Sequence, residues 1–322
     1  MRTDDFHIQA QAMMCLSAFD ALCRREREHA GCRLVPLKGI DLVRTLYADS
    51  LDREMHDIDL LVVPAQKSRE FIGRLLEMGY RPEFAFALEG KALESKKKVS
   101  MLAPSENLPH IDVHLALITK RFFAQFIGRF NEDALARLHP VDEVVSELDD
   151  VDRWLFLATH LAFHFLTGDK WYRDLALLLD KMDEQQLALL HERAMHYRFD
   201  RVVAAVLTQM QAHYPESVQR IPLQQWFPSE RTRRFLRYTN YYASDPRKLE
   251  RKISVARYYW EYLFIATPIA TKARALLFPS LGNIQNIYRC HALVAPLMYL
   301  PHIILNLLGL LVFSIHYAIV SR

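Results

Sequence analysis

Cysteine is scarce in this 322-residue chain: four residues, Cys15, Cys23, Cys32 and Cys290. None forms a Cys-x-x-Cys pair, and three fall within the first 32 positions. The pattern predicts reduced, structural thiols in a cytosolic setting. No secretory signal is expected either, because the opening MRTDDFHIQAQ is polar and acidic. There is no internal repeat and no low-complexity tract. Acidic residues thin out between Arg231 and Arg274, which hold eleven Lys or Arg against three Asp or Glu. That segment is a solvated face or a surface for anionic partners. Charge disappears altogether from Ile303 to Val320, eighteen residues without Asp, Glu, Lys or Arg.

A bilayer span needs roughly 20 apolar residues. Asn306, Ser314 and His316 interrupt the uncharged run, and the preceding ALVAPLMYLP lengthens the apolar region. Two readings stay open: a buried terminal helix, or a membrane anchor that spans or lies at the interface. For a span, Lys272, Arg274 and Arg289 upstream place the main body on the cytoplasmic side. Residues 291–322 are thus a candidate attachment to the inner face of a membrane.

What is present is enough apolar sequence, 51%, for a packed core and more than one domain. Periodicity predicts a helix over 6–31. RLVPLKG (33–39) reads as a buried strand ending in glycine, and IDLVRTLYA (40–48) as the helix after it. DIDLLVV (57–63) is a strand closed by Pro64. Residues 66–80 are an amphipathic helix stopping at Gly79. KKKVSMLAP and PHIDVHLAL are two further strands, separated by the turn-rich PSENLP. From Asp149 the period turns helical, with acids at the first helix start. The expected fold is α+β: a small mixed-sheet domain, then a helical domain and an apolar C-terminal helix. The expected segments are an N-terminal helix (1–32), an α/β domain (33–148), a helical domain (149–228), a basic helical segment (229–290) and the apolar terminus (291–322).

Three features of the α/β unit carry chemistry. LKG (37–39) sits where a strand meets a helix; backbone N–H groups there attract phosphate, glycine permits close approach, and Lys38 adds charge. Asp57 and Asp59 lie two apart in a strand, so both carboxylates face one side. A bound divalent cation is what lets such a pair stay ionised. Asp112, between Ile111 and Val113, points opposite to its apolar neighbours on a separate strand. Should that strand adjoin DIDLLVV, Asp112 completes a three-carboxylate cluster able to hold two metal ions. Arg53 precedes Asp57 by four and is a candidate carboxylate or phosphate partner. His110 and His114 flank Asp112 on the same face and are candidate supporting donors or bases. His160 and His164 are four apart on one helix face; no adjacent Glu makes a metalloprotease motif, so a core or cleft-lining role is expected.

Taken in order, LKGIDLVRTLY, the REMHDIDLLVV stretch, IDVHLAL, the two helical histidines and WYRDLALLL resemble the uncharacterised nucleotidyltransferase family of the polymerase-beta-like superfamily, over roughly residues 34–180. The resemblance implies that Asp57, Asp59 and Asp112 hold two Mg²⁺ or Mn²⁺ ions, with Lys38 and Gly39 at the phosphate turn. It places histidines comparable to His160 and His164, with Trp171 and Asp174, near the cleft. The wider superfamily usually has Gly-Ser at the turn, where this chain has Lys38-Gly39-Ile40. The implied reaction moves a nucleoside monophosphate from a nucleoside triphosphate, ATP among them, to an acceptor (small molecule, peptide or RNA) and releases pyrophosphate. Two alternatives remain: a non-catalytic, membrane-associated accessory protein on the same scaffold, and a toxin-like enzyme acting on transfer RNA. For the latter, the basic block and Tyr238, Tyr241 and Tyr242 are the hint.

Overall fold

The computed structural model describes residues 3–29, 31–49, 51–84, 88, 98–118, 124–164, 166–222, 226, 230–243, 277–279, 281–288, 290–291 and 293–320. Much of the basic block, from 244 to 276, lies outside the described residues, as do Lys96, Lys97 and Arg289. The fold is mixed α and β: a five-stranded mixed sheet near the N-terminus, many helices and a C-terminal apolar helix. The chain divides into two compact units, one of residues 1–119, 133–149 and 280–298, the other of 120–132, 150–279 and 299–322.

In the first unit α1 (Thr3–His29) leads into β1 (Arg33–Leu37), α2 (Lys38–Thr45), β2 (Asp57–Val63), α3 (Ser68–Glu77), β3 (Arg81–Pro82), β4 (Lys98–Leu102) and β5 (His110–His114). The sheet order is β1-β2-β5-β4-β3. β1 is antiparallel to β2, β4 is antiparallel to β5, and β2 and β5 join the two pairs in parallel. Alternation explains the layering. Leu34, Ile58, Leu60, Val62, Val99, Met101, Ile111 and Val113 share one face and pack with Phe19 and Leu22 of α1 and Phe71, Ile72 and Leu75 of α3. Each such fully buried side chain contributes about 1.5–3 kcal/mol through removal from water. The opposite face receives the residues between them: Asp57, Asp59, Leu61, Lys98, Ser100, Asp112 and His114. Predicted helix ends shift by a few residues. α3 stops at Glu77 rather than Tyr80, and Gly79 takes the left-handed backbone (φ +87°) that turns the chain after it.

Within this unit α1 and α3 are tied by a buried ion pair. Arg74 donates from Nε and Nη2 to the Glu26 carboxylate at 2.7 and 2.5 Å, and the Cys32 thiol donates to Glu26 Oε2 at 3.1 Å. Short strands β6 (His139–Pro140) and β7 (Ser146–Glu147) form a separate two-stranded ladder. α4 (Ala124–Ala136) straddles the division between the units.

The second unit is helical: α5 (Asp150–Phe163), α6 (Asp169–Lys181), α7 (Glu184–His196), α8 (Asp200–His213), the short α9 (Pro215–Val218) and α10 (Glu230–Ala243). α5 is buried on nearly every side, as befits a helix apolar all round, and packs against α6, α7 and α8. Its buried Asp152 meets Arg193 at 2.9 Å, and Trp154 Nε1 donates to the Leu175 carbonyl at 3.2 Å. α7 opens with a capping box: Asp183 accepts from the Gln186 N–H, and the Gln186 side chain accepts from the Asp183 N–H. α11 (Leu281–Tyr288) belongs to the first unit, and α12 (Tyr299–Val320) to the second.

Candidate metal and phosphate site

The parallel pairing of β2 with β5 sets Asp59 opposite Asp112 and Asp57 opposite His110. Asp59 and Asp112 thereby face the same way from adjacent strands. Two residues along β5, His114 follows Asp112 onto that face and its Nε2 lies 2.9 Å from Asp59 Oδ1. Among the described residues, Asp59, Asp112 and His114 form a group whose ligand atoms all lie within 4.8 Å of one another. Asp57 is outside that group. It is exposed at the strand mouth, and its carboxyl senses both Asp59 and Asp112 electrostatically.

Two ammonium groups already meet these carboxylates. Lys38 Nζ donates to Asp59 Oδ1 at 2.6 Å, and Lys98 donates to Asp112 Oδ2. Lys38 reaches Asp59 from the first position of α2, where its own backbone is left-handed (φ +51°), unusual for a residue with a Cβ. Nothing in the sequence marks Lys98 out, because it is the last of three consecutive lysines and such a run reads as solvated. The β4–β5 register places it opposite His114, and so on the acidic face.

The charges act on one another in definite directions. Burial pushes the Asp59 carboxyl up, but Lys38 and the His114 hydrogen bond outweigh it and hold the group well below the usual carboxylate range. Asp57 goes the other way: although the residue is exposed at the strand mouth, its carboxyl loses solvation among the neighbouring groups, which raises it first, then the Asp59 and Asp112 charges, with Lys38 and Lys98 only partly offsetting them. Burial lowers Lys98, yet Asp112 more than reverses this. Burial also lowers His114 and outweighs the Asp59 carboxylate. A neutral His114 facing an ionised Asp59 carries its proton on Nε2. Its Nδ1 is then a buried acceptor without a partner among the described residues. With Nε2–H committed to Asp59, the carboxylates of Asp59 and Asp112 are the oxygen donors that fit a hard divalent cation, and His114 supports them.

The other candidates are placed as follows. Gly39 is needed for packing: a Cβ there would lie 2.8 Å from Met55 Cγ and 3.1 Å from Arg53 Nη1. Ile40 fills the core where the superfamily's serine would offer a hydroxyl. Arg53 is buried rather than a surface residue, and it donates to the Glu54 carbonyl at 3.2 Å. His110 is exposed, and its Nδ1 accepts from the Ala103 N–H at 2.9 Å, so it pins the edge of the β4–β5 hairpin. In the second unit the His160 and His164 rings lie 4.6 Å apart and both touch Trp171, with centroids at 5.4 and 4.5 Å. That is a half-buried aromatic cluster, seated over Gly168. Asp174 is fully buried within α6. The stacking hint also changes: Tyr238 is wholly buried and unavailable to a nucleobase. The Tyr242 side chain lies outside the described residues.

Comparison with curated proteins gives no match. The profile of a family described as an uncharacterised nucleotidyltransferase matches residues 1–215 of the 322, reaching past the 34–180 stretch that carries the resemblance to include all of α1, α7 and α8. With most of its length matched and an acid-bearing mixed sheet in the matched part, this chain belongs to the uncharacterised nucleotidyltransferase family.

Proposed function

We propose that the protein is an active nucleotidyltransferase that moves a nucleoside monophosphate from a nucleoside triphosphate to an acceptor. The observation that carries this reading is the in-register pairing of Asp59 and Asp112, with His114 beside them. In it, Asp59 and Asp112 hold the catalytic cation, with Asp57 at the exposed side. Mg²⁺ or Mn²⁺ bound there would supply charge neutralisation at the α-phosphate and the departing pyrophosphate.

The chain's own groups have separable tasks. His114 orients the Asp59 carboxylate through Nε2, as supporting residues commonly fix metal-binding carboxylates. Lys38 stands at the start of α2, where N–H groups and an ammonium suit a triphosphate. It takes over the contact that a serine makes elsewhere in the superfamily. Lys98 neutralises Asp112 until a cation does so. Attack on the α-phosphorus by an acceptor oxygen or nitrogen forms one P–O or P–N bond and breaks the bond to the β-phosphate oxygen. Rate enhancement would come chiefly from positioning and charge stabilisation.

The test is to incubate the full chain with each of the four α-labelled nucleoside triphosphates, Mg²⁺ or Mn²⁺, and a cell extract. Label should pass to an acceptor with the wild type and not with Asp59→Asn or Asp112→Asn. Failure of transfer with every nucleotide and both ions would overturn the reading.

A further inference from the structure

α12 is built inside out. Over its 22 residues the side facing the protein carries His302 and Asn306, both buried, then Phe313, with His316 and Tyr317 half-buried beside it. The opposite side carries Leu300, Ile304, Leu307, Leu308, Leu311, Val312, Ile315 and Ile319, each between 49% and 68% exposed. At 3.6 residues per turn these eight positions form one continuous aliphatic stripe. The helix is long and apolar enough to cross a membrane, and only 17% of its most apolar window is buried. A core helix of a soluble protein has the reverse arrangement, with its apolar face inward.

Spanning is opposed by how the helix is held. At its start the Tyr299 hydroxyl donates to the Pro279 carbonyl. Towards its end Phe313 and Tyr317 pack on Tyr238 of α10, with ring centroids at 5.8 and 5.1 Å. α12 is thus fixed along its length to the same unit as α10. α10 exposes Arg233, Arg234 and Arg237, which converge on the single carboxylate of Glu230 at 3.0, 3.5 and 3.1 Å. A vertical α12 would carry these guanidinium groups towards hydrocarbon, where arginine is among the most costly residues. A helix lying in the membrane plane avoids this. It buries the aliphatic stripe at the headgroup–acyl boundary and leaves three arginines, with one acid between them, beside the phosphates. The stripe also lacks the Trp, Tyr, Met and Arg that mark the centre of a protein interface.

We propose that α12 docks this protein in-plane on an anionic bilayer leaflet, inserting the Leu300–Ile319 stripe without crossing. Sealed phosphatidylcholine vesicles with and without phosphatidylglycerol, mixed with the full chain and floated on a density gradient, test this. The wild type should float with the phosphatidylglycerol vesicles, less so at high salt. Ile304→Ser/Leu308→Ser/Leu311→Ser should cut the floating fraction by at least about tenfold, with the thermal melt of the protein unchanged. A C-terminal tag on floated wild type should remain open to protease outside the vesicles. Three results would overturn the proposal. The first is no flotation, or equal flotation of the triple variant. The second is a protected tag, which means a span. The third is a detergent-free dimer that the triple variant dissociates without any effect of lipid, which means a second copy covers the stripe.

Discussion

Lys38 combines two costs at one residue: a left-handed backbone that a Cβ disfavours, at about 1–3 kcal/mol, and a partly desolvated ammonium. Both are offset by its 2.6 Å contact with a nearly inaccessible Asp59. Lys38→Met leaves that carboxylate with His114 alone. Removing one partner of a buried pair costs about 3–5 kcal/mol, measurable by chemical denaturation. The sign with pH follows from the directions. Asp59, held below its usual range, contributes stability above the ordinary carboxylate pKa that is lost as pH falls through the folded value. Lys38→Met should therefore move the acid-unfolding midpoint to higher pH. Lys98→Met acts on the neighbouring acid. It leaves Asp112 uncompensated beside Asp57 and Asp59, so Mn²⁺ titrated by electron paramagnetic resonance should bind about tenfold more tightly, near 1.4 kcal/mol. Weaker or unchanged Mn²⁺ binding would count against Lys98 competing with a cation.

At the scale of elements, the strands that carry the site were readable because their alternation is strict. Ile58, Leu60 and Val62 go one way and Asp57 and Asp59 the other, and Ile111 and Val113 bracket Asp112 likewise. The partner of the acids was not readable. That Lys98 turns onto the acidic face depends on the β4–β5 register, set by pairing with a strand twelve residues or so away. Gly39 was visible as special, but the reason, the close approach of Met55 and Arg53, belongs to the tertiary fold. The same holds for the tie between α1 and α3. Arg74→Ala strands Glu26, which is 2% exposed, and should cost about 3–5 kcal/mol. Thermal unfolding followed by circular dichroism would show it, and Arg74→Lys should recover only part, since the fork geometry is lost.

For the whole molecule, the cysteine reading extends to a pH limit. Burial pushes the thiols of Cys15, Cys23 and Cys32 up to about 12 each. In the unfolded chain they ionise near their ordinary value of about 8.5. The unfolded state then binds fewer protons than the native one, so stability falls as pH rises from about 8.5 towards 12. Urea unfolding across that range should show it, and a Cys15→Ala/Cys23→Ala/Cys32→Ala chain should lose the slope between about pH 8.5 and 10, above which the buried phenols of Tyr80 and Tyr172, also pushed up, still add to it. In native buffer a thiol reagent should modify Cys290, the half-exposed thiol, ahead of the other three.

The sheet order has one more consequence. Asp59 and Asp112 are each served by a lysine from their own side of the sheet: Lys38, the residue directly after β1, reaches Asp59 on β2, and Lys98 on β4 reaches Asp112 on β5. Along β2–β5 the two acids are neighbours. The two antiparallel strand pairs, each with a counter-ion for its central acid built in, therefore meet with less of the repulsion that bare like charges on facing strands would impose. The centre suited to gripping a polyanion is a seam between two halves, each carrying its own counter-charge.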